Sequence, residues 1–213
     1  MKKQVLNIFT VLAIGLAVVS CKNEKGAETT DAKEVEVVVA EATYRAVAAE
    51  SMIMWKANKL VGGHEGTINV SNGVAKMKGD ALVGGNFIFD IATLKNTDME
   101  QAGGRAKLEG HLKGVDFFDA EKFPNAAFEI TSVEGNKVSG NLMMKGIKKN
   151  VTFDAVVTTT ENKMTITSEA FMIDRTEWNI MFHSGKSTTA AELGDKLIKD
   201  NVEIKISINA VKA

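Results

Sequence analysis

The sequence predicts an all-β fold with antiparallel neighbours, about eight strands forming a closed barrel or a sandwich. Three observations carry that expectation. Eight or nine short runs alternate apolar and polar residues with a period of two. Glycine, asparagine and aspartate clusters separate them at the spacing of a meander. A single well-signalled helix interrupts the series, so the strand and helix alternation of a parallel sheet is missing. Closure into a barrel removes exposed edges, and about eight strands leave an interior that is either filled by side chains or holds one ligand. Periodicity does not choose between these.

The 213 residues suit one substantial domain, and 45% hydrophobic with 25% charged residues excludes disorder. Lysine and arginine total 26 against 27 acidic residues with no block of one sign, so no nucleic acid partner is expected. At the amino end Met1-Lys2-Lys3 precedes an apolar run from Ile8 to Val19, closed by Val18-Val19-Ser20-Cys21. This resembles a bacterial lipoprotein signal, residues 1–20, with Cys21 as the lipidated residue. The apolar run is shorter than the ~18 residues of a spanning helix. Cys21 is the only cysteine, which excludes an intrachain disulfide. The implied location is export, then lipid anchoring to the bacterial cell envelope, on the periplasmic side or the cell surface. Residues 21–33 are polar without period and predict a flexible tether. The folded domain is then 34–213.

Within that domain Val35 to Val39 reads as a short strand or the stiff end of the tether. Ser51 to Ala57 is a strand apolar on both faces, ended by Gly62-Gly63. Thr67–Val70 and Val74–Met77 flank Ser71-Asn72-Gly73, which predicts a hairpin, because Asn-Gly accepts positive φ at both turn positions. After Gly84-Gly85 a strand carries Phe87, Phe89 and Ile91 on one face. Thr97-Asp98-Met99-Glu100 fits a capping box, yet Gly103-Gly104 confines the helix to about Arg105–Lys113. Leu108 and Leu112 share its face, Gly114 suits a left-handed residue at its end, and Pro124 forbids further helix. Beyond the proline come strands over about 126–133, 138–145, 151–159 and 164–173. A last one alternates Val202, Ile204, Ile206 and Ile208 against Glu203, Lys205, Ser207 and Asn209.

Catalytic and metal patterns are sparse. His64, His111 and His183 occur singly, without ligand spacing, and no nucleophile has a histidine near it in sequence. Asp116 and Asp119 flank Phe117-Phe118 in a manner equally suited to capping a turn. Arg175, at a strand end, is either a head-group contact or a loop tie to Asp174 or another carboxylate. Met143, Met144, Met164, Met172 and Met181 either fill a core or adapt to an irregular apolar ligand.

Several stretches together resemble one family. They are KLEGHLKGVDFFDAEKFPNAAF at 107–128, GNLMMKGIKKNVTF at 140–153 and IDRTEWNI at 173–180, with weaker matches at Trp55 and at GGHEGTINVSNG, 62–73. In this order they are similar to the YceI-like family of exported bacterial proteins, described as lipid or polyisoprenoid binders. The likeness spans about Tyr44 to Ala210. Asn179 stands where glycine is expected, and Phe182-His183 where a tyrosine and a small residue are.

The resemblance implies a lipocalin-like, commonly eight-stranded barrel with an apolar channel for an isoprenoid, isoprenoid quinone or fatty chain. It also implies frequent dimers, no catalytic set, no metal and no cofactor beyond a bound isoprenoid-type lipid. From alternation, the channel-lining candidates are Phe87, Phe89, Ile91, Phe128, Leu142, Met144, Phe153, Met164 and Ile166, with Arg175 at the head group. A register error of one residue inverts each strand's set. Rival readings are an interaction module with a filled core, and a metal protein using the three histidines.

Overall fold

Alternating side chains become a closed wall once each strand finds a partner on both edges. A computed structural model describes residues 26–100 and 103–213, so the predicted signal segment and Cys21 lie outside the described residues. Eight strands form the ring: β3 (Met52–Lys59), β4 (Gly63–Lys78), β5 (Ala81–Asn96), β6 (Asn125–Glu134), β7 (Lys137–Met144), β8 (Ile147–Thr159), β9 (Lys163–Ser168) and β11 (Ile198–Lys212). Each pairs antiparallel with the next, and β11 returns to β3. β2 (Ala42–Ala46) pairs β4 and β11, and β10 (Phe171–Asp174) also pairs β11. The helices α1 (Arg105–Lys113) and α2 (Ala190–Leu193) lie in the connections. The ring is therefore the eight-stranded antiparallel barrel that the family resemblance implies, and of the two arrangements the pattern left open it is the closed one.

The two long strands differ from their sequence reading. Asn72-Gly73 makes no hairpin, and β4 runs through it from Gly63 to Lys78. The pairing with β5 shifts register between Val70 and Asn72, a bulge rather than a turn. Asn72 Oδ1 accepts from the Gly73 N–H at 2.8 Å, so the asparagine serves its neighbour's backbone inside the strand. Glycine is required for space, since a Cβ at position 73 would collide with the Phe87 ring. β5 likewise passes through Gly84-Gly85. Gly114, too, is extended rather than left-handed, while Asp119 takes the positive φ. The predicted run 164–173 divides into β9 and β10, both lying along β11.

Part of the predicted tether is wall. β1 (Glu28–Asp31) pairs with Lys149–Thr152 of β8, and the Ala27 N–H donates to the Met172 carbonyl of β10 at 2.7 Å. β8 is shared between β9 at one end and β1 at the other, so β1 fills the gap between β8 and β10. Backbone pairing needs no apolar side chain, which is why Glu-Thr-Thr-Asp can occupy a strand while reading as linker. Lys149 Nζ lies 3.0 Å from Asp31 Oδ1, and that contact holds the Lys149 pKa above the ordinary lysine range. Beyond β1, Lys33 exchanges two hydrogen bonds with the buried Asn141 amide, and the chain crosses the outside of the barrel before β2.

Candidate functional site

The barrel interior has two unlike halves. Towards one end Tyr44, Val70, Ala75, Met77, Leu82, Ile130, Val138, Met164 and Ile208 are buried against one another. Towards the other, where β5 ends and β6 begins, lies a cavity of about 140 Å³. Its walls are Ile53, Trp55 and Ala57 of β3, Phe89, Ile91 and Leu94 of β5, Val151 and Phe153 of β8, and Ile198, Val202, Ile204 and Ile206 of β11. Phe171 and Ile173 of β10 complete the side next to β1. An apolar cavity of about 150 Å³ is known to stay dry and admit benzene, which sets the scale of what fits here without movement.

The cover comes from the stretch after β5. α1 contributes Leu112, and the turns beyond it contribute Phe117 and Phe118. Here the Phe118 N–H donates to the Leu112 carbonyl at 3.1 Å, and the Asp119 N–H donates to Gly114 at 2.8 Å. These bonds wind the helix end into a knot, and that conformation directs two consecutive phenylalanines at the barrel. Phe117 meets His111 edge-on at 5.1 Å and Phe182 at 5.3 Å, and Phe182 stacks on His183 at 4.0 Å. Two of the three histidines therefore serve an aromatic cluster. His64 instead contacts Asp98 at 3.0 Å. Burial alone would raise the Asp98 carboxyl, but hydrogen bonds from the Glu65 N–H, His64 and Asn96 hold it below the usual range. Among the described residues no group of three His, Cys, Asp or Glu side chains can hold a metal ion.

Of the nine candidates from alternation, Phe89, Ile91, Phe128, Leu142, Met144 and Phe153 stand in the cavity wall, as does the head-group candidate Arg175. Phe87, Met164 and Ile166 are equally buried but belong to the filled half. A two-residue period gives the side of the sheet on which a residue lies, not its depth along the barrel axis, so this correction was beyond the pattern. Trp55 and the cover residues Leu112, Phe117 and Phe118 were singled out in the sequence for other reasons and not as lining residues. The unbroken alternation through Val202, Ile204 and Ile206 was the available signal for the β11 wall.

Arg175 is a loop tie. Its Nη1 donates to Ile180 O at 2.6 Å, Nη2 to Ile198 O at 3.0 Å and Nε to Lys199 O at 3.2 Å, while Asp200 Oδ1 lies 3.5 Å from Nη2. Burial pushes its pKa down against the pull of Asp200 and Asp174, and the very high intrinsic value keeps the group charged. Asp174 caps the 3-10 turn Arg175–Trp178 by accepting from the Thr176 N–H. Asn179 follows at φ 55°, a left-handed conformation that explains why glycine is expected there and why asparagine can replace it.

The two tryptophans contrast. Trp178 is fully buried, and its indole N–H donates to the Leu142 carbonyl at 3.0 Å. Trp55 is 8% exposed, and its indole N–H has no partner among the described residues. Its ring rests on Gly66, where a Cβ would strike both the ring and the Lys95 carbonyl.

A family model described as the YceI-like domain matches residues 44–210. A UPF0312 protein of Staphylococcus aureus (strain N315) is 41% identical over 90 residues, covering 38% of this chain and 52% of the relative. One from Yersinia pestis (strain Pestoides F) is 34% identical over 86 residues, 35% of this chain and 44% of the relative. The chain spans about half the length of the curated relatives it matches. Among solved structures, Burkholderia cenocepacia BcnA has a TM-score of 0.61 at 22% identity, over 77% of this chain and 98% of that one. A polyisoprenoid binding domain from Saccharophagus degradans, implicated in plant cell wall breakdown, has a TM-score of 0.57 at 12% identity, over 81% and 99%. At these identities the likeness is one of fold.

Proposed function

The chain belongs to the YceI-like family, and on that premise we propose that its barrel binds, carries or sequesters a long apolar chain without chemical change. The chain is an isoprenoid, an isoprenoid quinone or a fatty chain. The observation that carries this reading is the apolar cavity in which Arg175, the one cation of its lining among the described residues, is already bound to backbone carbonyls and Asp200. The description of the Saccharophagus degradans domain as polyisoprenoid binding supports the same ligand class.

The space available at rest takes the end of such a chain. Each buried methylene contributes about 0.8 kcal/mol, whereas association costs at least ~4 kcal/mol, so net binding requires more than about five carbons to enter. The cover formed by Leu112, Phe117 and Phe118 is the part that yields, because it belongs to a connection rather than to the strand ladder.

Cys21, acylated, anchors the barrel to the cell envelope in this reading. Only Lys22 to Lys25 separate it from Gly26, which bridges to Met172, so five residue steps of at most ~3.6 Å hold the wall within about 18 Å of the lipid. This is a shorter leash than residues 21–33 predict. Organic extraction of protein purified from its own envelope, followed by mass spectrometry, tests the reading together with melting curves in added farnesol and geranylgeraniol. A co-purifying prenyl or acyl lipid and a raised melting temperature are expected. No extracted lipid and no shift would instead favour a barrel that serves as an interaction module.

A further inference from the structure

We propose that Phe128 is the stop that sets how far a chain enters the barrel, so that the site selects its ligand by the length of the apolar end it seats. This rests on the ligand-binding reading and deepens it. At the join of the two halves the phenylalanine rings form one layer. Phe87 of β5 and Phe128 of β6 are partners across the ladder. Each ring lies over a glycine of the strand on its far side, Phe87 over Gly73 of β4 and Phe128 over Gly140 of β7. Bare backbone on β7 lets the Phe128 ring reach past that strand to Phe153 of β8, 5.5 Å away, and Phe153 stacks on Phe171 of β10 at 4.5 Å with the planes 2° apart. Phe128, Phe153 and Phe171 all face the cavity. Two positions further along the same strands, Ile130 and Ala155 are buried in the filled half. The layer is therefore the floor of the cavity.

Phe128 is the member of that layer whose height one methyl group controls. A Cβ at position 140 would lie 2.2 Å from Phe128 Cζ, far inside contact, and the ring tip is the part free to shift. The filled half beneath is close-packed, so the ring gives way into the cavity. Phenyl rings carry no hydrogen-bonding atoms, so the end of the ligand that meets this floor is hydrocarbon and any polar head stays on the cover side. Once that end touches the rings, further carbons remain outside and add nothing to binding.

Dissociation constants of the full chain for the straight-chain alcohols from octanol to octadecanol test this. In the wild type each added methylene should tighten binding about four-fold until the floor is reached, and affinity should then level off. Phe128→Leu lowers the floor, so the first alcohol past the wild-type break should again bind about four-fold tighter than the one before it. Gly140→Ala lifts the Phe128 ring and should move the break the other way, to shorter alcohols. A merely structural fault in either variant weakens all lengths alike and leaves the break in place. Should Gly140→Ala fail to fold, the wild-type break and its shift in Phe128→Leu decide. No break in the wild type, an unmoved break in both variants, or a move in the same direction in both would overturn the proposal while leaving apolar binding intact. Failure of the whole series to bind the wild type would overturn it as well, and joined to a negative lipid extraction would remove the binding reading too.

Discussion

The filled and hollow halves of the barrel are built from the same alternation, yet only one closes on itself. In the filled half Met77, Leu82, Phe87 and Met164 come inward together, and Phe87 lies over the bare backbone of Gly73. In the hollow half β10 and β11 contribute Ile173, Val202, Ile204 and Ile206, branched at Cβ and short in reach. Ala57 and Ala126 reach least of all. The difference shows that inward orientation is necessary for a core and insufficient to fill one. Side-chain length alone does not decide it, since Phe89, Phe153 and Phe171 stand in the hollow half and Val70 and Ala75 in the filled one.

Breaking a seat should have the largest effect. Gly66→Ala sets a methyl against the Lys95 carbonyl, which the strand pairing holds in place, and should cost about 3 kcal/mol or more in urea unfolding. A loss near zero would mean that the Trp55 wall is loose. Next comes a matched pair of truncations. Met164→Ala, in the filled half at 1% exposure, should cost about 3 kcal/mol. Ile204→Ala, half-buried beside existing space, should cost about 1 kcal/mol, because its neighbours lose fewer contacts. Equal costs would erase the distinction between the halves.

The smallest expected effect concerns charge at the hollow end. Burial raises the Asp174 carboxyl, but the hydrogen bonds from Lys186 and Thr176 outweigh it and hold the pKa below the ordinary value. The same contact raises Lys186. Asp174 ionises more readily folded than unfolded, so its contribution is complete above about pH 4 and is lost as pH falls through the depressed value. Asp174→Asn should flatten the acid limb of the stability curve below about pH 4 by under ~1 kcal/mol, since the pair is partly exposed. Melting temperatures between pH 2 and pH 6 would read this.

The strands were legible because burial imposes a strict period, and α1 was found at Arg105–Lys113 because paired glycines bound it. Asn72-Gly73 misled, since the same dipeptide that turns a hairpin also makes room for Phe87 inside a strand. Arg175 was ambiguous in sequence because its carbonyl partners come from Ile180 and from residues more than twenty positions away. The cavity was legible as a set of inward faces, but its limits were not. Phe87, Met164 and Ile166 differ from Phe89 and Phe153 only in depth, a coordinate that alternation does not carry.

β1 has its partners far along the chain: Glu28 waits for Thr152, and Lys33 finds Asn141 only 108 positions later. During synthesis this segment emerges early and stays single until β8 exists, so its polar Glu-Thr-Thr-Asp sequence suits a long residence in water. Closing the gap it fills joins residues more than a hundred positions apart, so this pairing carries a loop-closure cost that the neighbouring hairpins of the wall do not.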